Sequence, residues 1–325
     1  MTPTSRTLAA LASLALLLAC GTESDRSITA NLVASPTAHF STWSEPVNLG
    51  STINTTFNEQ GPTLSNDELS LYFQSDRSLG YGGTDIWVSR RACETCPWEE
   101  PENLGSLINT SGNEGAPSIS LDGHLLFFYS AGLPGGQGAF DIYVSRRANP
   151  KDDFGWGPAV NLGTNVNTAA NEAGPEYLQS AEDGTANLYF GRQPTQPVVG
   201  TYDLYVVAVT RDGEPLAPAA PIAELNTAAF TETGPTLRTD GREVLFFSGR
   251  APTLGMNDFW VSTRRSVHDP WSAPVHLDAP LSSAFNDRHP SLSGQGRTLV
   301  FASNRPTDGF GQDDIWMSTR TPSGR

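Results

Sequence analysis

Apolar and polar positions along this chain come in short runs separated by turn residues, with no long helical stripe. The runs LSLYFQS, HLLFFYS, NLYFGR, EVLFFS and TLVFAS are each followed by a polar, often glycine-rich stretch and then by DIWVS, DIYVS, DLYVV, DFWVS or DIWMS. Ahead of each pair stands a proline-containing run: NEQGPTLS, NEGAPSIS, NEAGPEYL, TETGPTLR and NDRHPSLS. Runs of this length bounded by turn residues predict three antiparallel strands. Asp122-Gly123, Asp183-Gly184 and Asp240-Gly241 fall between the first and second strands and supply the positive φ of a tight hairpin. A fourth run precedes each set: WSEPVNL, WEEPENL, WGPAVNL, PLAPAAPIAEL and WSAPVHL. Its prolines cannot donate ladder hydrogen bonds, so it predicts the outer, edge strand.

The whole set is written five times. Its opening acids are Glu59, Glu114, Glu172, Glu232 and Asp287, and its closing aspartates are Asp85, Asp141, Asp203, Asp258 and Asp314. Successive copies lie about 55 to 60 residues apart, a period that for short strands means a propeller or a similar array. The chain offers an outer strand near Trp43 to Leu49 and closes with a third strand, DIWMSTR, so the first segment can complete the last blade. The expected fold is all-β: a five-bladed β-propeller over residues 41–320, closed by an N-terminal outer strand, with a tail at 321–325. Trp43, Trp98, Trp156 and Trp271 open outer strands, and Trp87, Trp260 and Trp316 sit in third strands, a recurrence that fits packing between blades.

Composition supports this reading. Only 17% of the 325 residues are charged, and 31 glycines and 24 prolines suit many short strands. The net charge of -15, without any stripe of Lys and Arg, excludes a nucleic-acid partner. At the N-terminus Arg6 precedes the apolar stretch LAALASLALLLA and Cys20, which is too short to span a bilayer and has the form of an export signal. Leu17-Leu18-Ala19-Cys20 resembles the cleavage box of bacterial lipoproteins. That resemblance implies a signal peptide over 1–19, lipid on Cys20 and, because Gly21 follows, an outer-membrane lipoprotein facing the periplasm or the cell surface. Residues 20–40, rich in Ser, Thr and Ala, are expected to form a flexible tether.

The core P-x-[LI]-S, the D-G turn, L-[YF]-F, S-x-R and D-[IL]-[WY]-V together resemble the repeat of TolB-like, WD40-like β-propellers, over nearly everything from Trp43 to Arg320. The resemblance implies an exported binding or scaffolding module, and TolB's own six blades supply the alternative blade count. The resulting expectation is a lipid-anchored, monomeric, non-catalytic propeller that binds a protein, peptide or glycan of the envelope and meets the membrane only through its lipid.

Candidate chemistry gathers at one rim. Glu59, Glu114, Glu172, Glu232 and Asp287 are expected to converge on the channel mouth as a binding ring. No cofactor is expected, although calcium is an ion that such carboxylates could take, without any DxDxDG-type loop to support it. Arg77, Arg192, Arg250 and Arg305 share the rim with Asp85, Asp141, Asp203, Asp258 and Asp314, and the second copy has Ala131 where the arginine would be. A structural role for these residues is a guanidinium bridging two carboxylates in each blade. The alternative function is a carbohydrate-active, glycoside hydrolase-like enzyme using two ring acids, although quasi-equivalent acids lack the divergent environments such a pair requires. In the fifth copy Arg288 and His289 stand where the others have small residues. Cys93 and Cys96, in ACETCPW, are expected to form a local disulfide in an oxidising compartment. The sequence has no G-x-S-x-G, H-E-x-x-H or P-loop motif.

Overall fold

The computed structural model describes residue 1 and residues 39–193, 201–306 and 311–323. The signal segment, Cys20 and the tether up to residue 38 lie outside the described residues. Five four-stranded antiparallel sheets make up the body. In blade 1, Glu59–Leu64, Ser70–Ser75, Asp85–Arg90 and Glu102–Asn103 follow one another from the axis to the rim. Blade 2 repeats the order with Glu114–Ile119, Leu125–Ser130, Asp141–Arg146 and Val160–Asn161. Blade 3 uses Asn171–Gln179, Ala186–Gln193, Asp203–Val209 and Ala220–Pro221. Blade 4 uses Glu232–Leu237, Glu243–Ser248, Asp258–Thr263 and Val275–His276.

Blade 5 is built from both ends of the body. Asp287–Leu292, Thr298–Ser303 and Asp314–Thr319 receive Val47–Asn48 as their outer strand, with Val47 opposite Met317 and Asn48 opposite Trp316. This clasp closes the ring, and the five innermost strands adjoin one another around the axis. Each outer strand is only two residues long, because the prolines in those runs stop the ladder. His39–Phe40 also pairs with Pro322–Ser323, which joins the end of the expected tether to the C-terminal tail.

Five apolar clusters hold the blades, each formed by two neighbours. Phe127, Val144, Leu188 and Phe190 join blades 2 and 3, and Leu245, Phe259, Leu299 and Phe301 join blades 4 and 5. Burying one such side chain contributes about 1.5–3 kcal/mol, so the interfaces carry the fold. At the rim, Arg91, Arg147, Arg264 and Arg320 lie over Trp98, Trp156, Trp271 and Trp43 at 4.4, 4.2, 4.1 and 4.5 Å from the ring centroids. Blade 3 has Val209 at the corresponding strand end and no rim tryptophan.

Candidate functional site

The ring acids are enclosed. Glu59, Glu114, Glu172, Glu232 and Asp287 have no exposed surface. Glu59 accepts the N–H and hydroxyl of Thr55, both at 2.8 Å, the Ser75 hydroxyl at 2.8 Å and a guanidinium N–H of Arg77 at 3.1 Å. Thr110, Thr168, Thr227 and Ser283 make the same pair of bonds to Glu114, Glu172, Glu232 and Asp287. Each acid is therefore the socket for the loop that follows an outer strand. Burial raises Glu172 and Glu232, with hydrogen bonds and the neighbouring arginine opposing it. With their oxygens already occupied, these groups do not form the binding ring expected at the mouth.

The arginines serve the same loops. Arg77 also donates to the Ile53 carbonyl and Arg192 to that of Val166, each at 2.6 Å, while Arg250 and Arg305 reach the carbonyls of Leu225 and Leu281. Among the described residues they pair with the ring acids and loop carbonyls, and the closing aspartates have other work. Asp85 accepts the Tyr81 N–H at 2.6 Å, Asp141 the Gln137 and Gly138 N–H groups, and Asp258 the Leu254 N–H. Asp314 accepts from the Asn48 amide at 3.0 Å, and Asp203, half-buried, is raised by burial. The register aligns Gly132, not Ala131, with Arg77, since both follow a hydroxyl partner of the ring acid by two residues. A Cβ on Gly132 would come within 2.0 Å of Thr110 Oγ1, so no side chain fits there. Arg192 reaches Glu172 from a different position, directly across the ladder from it.

A second set of loop residues went unnoticed in the sequence. Asn54 donates to the Ile315 carbonyl and accepts its N–H, and Asn109, Asn167 and Asn226 grip Ile86, Ile142 and Leu204 in the same way. The signal was present as Ile53-Asn54-Thr55, Ile108-Asn109-Thr110, Val166-Asn167-Thr168 and Leu225-Asn226-Thr227. In blade 4, Ser282 replaces the asparagine and retains only the bond from the Phe259 N–H.

What faces the lumen is set by a bulge in each innermost strand, just before its proline. Gly61, Ala116, Gly174, Gly234 and His289 occupy these bulges with φ of 55, 46, 60, 58 and 49°. They and the prolines after them enclose a neck of about 30 Å³, room for roughly one water. Glycine accepts positive φ freely; holding an imidazole there costs about 1–2 kcal/mol. Above the neck opens a mouth of about 540 Å³. Tyr129, Phe140, Tyr202 and Phe247 give it aromatic walls, and Gln60, Gln74 and Asn257 bring amides.

Polar atoms in the mouth form a partly completed network. Gln60 donates to Asp313 at 2.6 Å, and Arg288 pairs with the same carboxylate. Gln74 accepts the Ala116 N–H at 2.8 Å and the Tyr129 hydroxyl at 3.3 Å. Arg288 Nε, His289 Nδ1 and Asp313 Oδ1 are enclosed yet have no hydrogen-bond partner among the described residues. An unmet buried polar group costs about 1–3 kcal/mol, so these three atoms lower stability in the wall behind the mouth. His289 packs edge-on against Phe247 at 5.1 Å, and burial, with Arg288 adding to it, lowers its pKa to about 3. Burial likewise holds Tyr129 at about 12. Below the neck, Glu176 accepts from Ser118, Thr236 and the Leu237 N–H, and burial raises it to about 7 against those bonds. It touches the lumen while protein surrounds it.

Cys93 and Cys96 form a disulfide across the short loop after the third strand of blade 1. Among the described residues no group of three or more His, Cys, Asp or Glu side chains is placed to hold a metal ion.

No protein-family model matches the chain, and no curated protein matches its sequence. Solved structures do match. A thermostable family-43 glycoside hydrolase is 13% identical, with 82% of this chain and 90% of that one covered and a TM-score of 0.55. The α-L-arabinofuranosidase of Lactobacillus brevis is 14% identical over 82% and 92% of the two chains, TM-score 0.56. The arabinanase of Bacillus subtilis is 14% identical over 83% and 96%, TM-score 0.55. At such identities the likeness establishes the shared propeller fold. It also corrects two expectations. The TolB-like, WD40-like assignment is overturned, since the neighbours are glycoside hydrolases. Its motif residues build blades: the proline sits after the bulge, L-[YF]-F fills the interfaces and the closing aspartate pins a loop, so they report architecture and not lineage. The non-catalytic envelope binder inferred from that assignment falls with it.

Proposed function

We propose that this protein is carbohydrate-active, of glycoside hydrolase type, and that it seats a saccharide in the mouth of the central channel. One observation carries the reading: the mouth combines four aromatic side chains with three amides and the Arg288 guanidinium. Sugars present apolar ring faces edged by hydroxyls, which suits aromatic walls interleaved with fixed donors and acceptors. The glycoside hydrolases among the structural neighbours support the same class of ligand.

Hydrolysis of a glycosidic bond uses a proton donor and an ionised carboxylate. Asp313 lies behind two lining residues, Gln60 and Arg288, and holds that part of the wall; no described lining residue is a carboxyl able to give the proton, so the hydrolytic half of the proposal rests on the likeness to glycoside hydrolases. Glu176, despite its raised pKa, lies beyond the proline ring and out of a mouth-bound sugar's reach. The test is a panel of neutral oligosaccharides, followed by calorimetry and by release of reducing ends, with wild type, Phe247→Ala and Asp313→Asn. Expected are binding and release by wild type, at least tenfold weaker binding by Phe247→Ala and reduced release in Asp313→Asn. Binding without release would remove the hydrolytic half of the proposal, and no binding would remove the whole.

A further inference from the structure

The rim clamps differ in one respect. Arg147 meets Asp153 at 3.0 Å, Arg320 meets Glu243 at 2.6 Å and Arg91 has Glu68 at 3.9 Å. Arg264, the fourth arginine on a rim tryptophan, has no carboxylate partner among the described residues. It donates to the Gly241 carbonyl at 2.7 Å and to the Tyr189 hydroxyl at 3.3 Å. Arg147 uses the equivalent groups, Gly123 at 2.6 Å and Tyr72 at 3.0 Å, so the two sites are built alike.

What differs is the residue three places before the tryptophan. Between blades 1 and 2 it is Asp153, whose carboxylate also takes the Tyr72 hydroxyl and that of Ser70 at 2.8 Å. Between blades 3 and 4 it is His268, which turns outward against Asp183 at 3.3 Å with 73% of its side chain exposed. The vacated position opens into a groove of about 710 Å³, also lined by Arg211, Glu224 and Asp269.

We propose that this groove is a second saccharide site, for a sugar that bears a carboxylate, with the acid group seated between Arg264 and Tyr189 where Asp153 sits in the interface of blades 1 and 2. A guanidinium already positioned by a carbonyl and a ring face offers its free edge to a carboxylate at low reorganisation cost. Glu224 and Asp269 stand exposed on the rim, where solvent screens them. There they accept sugar hydroxyls, which favours a uronic acid over a bare anion. That the carboxylate is carried on a sugar rests on the carbohydrate reading of the mouth; the carboxylate seat does not.

The test is titration of the full chain with trigalacturonate, a neutral trisaccharide and monomeric glucuronate. Wild type should bind trigalacturonate at least tenfold more tightly than the neutral trimer. His268→Asp, which returns an acid to the vacant position, should cut that affinity at least tenfold while the melting temperature holds or rises. Tyr189→Phe should weaken it several-fold, and both losses should persist in a Phe247→Ala background, where the mouth is impaired. Equal binding of charged and neutral trimers, or unaltered affinity in both His268→Asp and Tyr189→Phe, would overturn the proposal. Glucuronate binding that is lost in His268→Asp, in a protein that binds no neutral sugar, would sustain the groove and remove the mouth reading alone.

Discussion

At the scale of single residues, the ring acids show how a repeated group can be misread. A carboxylate written five times draws attention, yet Glu59 is spent on Thr55, Ser75 and Arg77. Glu59→Ala leaves Arg77 without its buried counter-charge and the Thr55 and Ser75 donors without their acceptor, and should cost about 3–5 kcal/mol in equilibrium urea unfolding; a loss below about 1 kcal/mol would return the ring to a binding role. The side chains that do line the mouth are the next ones along, Gln60, Ala173, Thr233 and Arg288, and they do not repeat. Arg288 and His289 stood out in the sequence because they break the pattern, but their burial depends on the bulge, which no residue pattern displayed. Glu176 and His289 also set a pH dependence. Glu176 is raised from 4.5 to about 7, so the folded protein holds its proton more tightly than the unfolded chain. Its contribution is complete below pH 4.5 and is lost as pH rises through 7. His289, lowered from 6.5 to about 3, works oppositely: its contribution is complete above pH 6.5 and is lost as pH falls toward 3. Melts from pH 5 to 8 should show Glu176→Gln gaining on wild type by a few degrees as pH rises; parallel curves would contradict the raised value.

Among elements, the strands were legible and the loops were not. Short apolar runs, D-G turns and proline-bearing edges located the blades because strand and hairpin preferences are local. The Asn-Thr loops escaped because their partners, such as Ile315 for Asn54, lie far away in the chain. Those loops tie each outer strand to the third strand of its own blade, and in blade 5 they tie the first outer strand to the last third strand. Removing residues 41–50 should therefore expose the edge of Asp314–Thr319 and lower the melting temperature by roughly 10 °C or more, the effect of losing several kcal/mol. A melt unchanged by the deletion would show that the clasp does not hold the ring. Asn109→Ala offers a milder check, unpairing the N–H of Ile86 and leaving its carbonyl only the Leu104 N–H, at a predicted cost of about 1–3 kcal/mol in the same unfolding assay.

For the whole molecule, the repeat carried the architecture and left the chemistry to what departs from it. Five similar blades make the ring, and function is expected where the blades stop being similar: His289 in a ring of small residues, and His268 where the interface of blades 1 and 2 has an acid. The likeness to glycoside hydrolases lies in the fold, and the aromatic, amide-lined mouth is this chain's own contribution to a carbohydrate reading. The most direct measurement is calorimetric titration of neutral oligosaccharides into wild type and Phe247→Ala, with reducing-end release followed on the same samples. Binding at the mouth, weakened at least tenfold by Phe247→Ala and accompanied by release that Asp313→Asn reduces, is the predicted result. Absence of binding across the panel, or binding indifferent to both substitutions, would contradict the account.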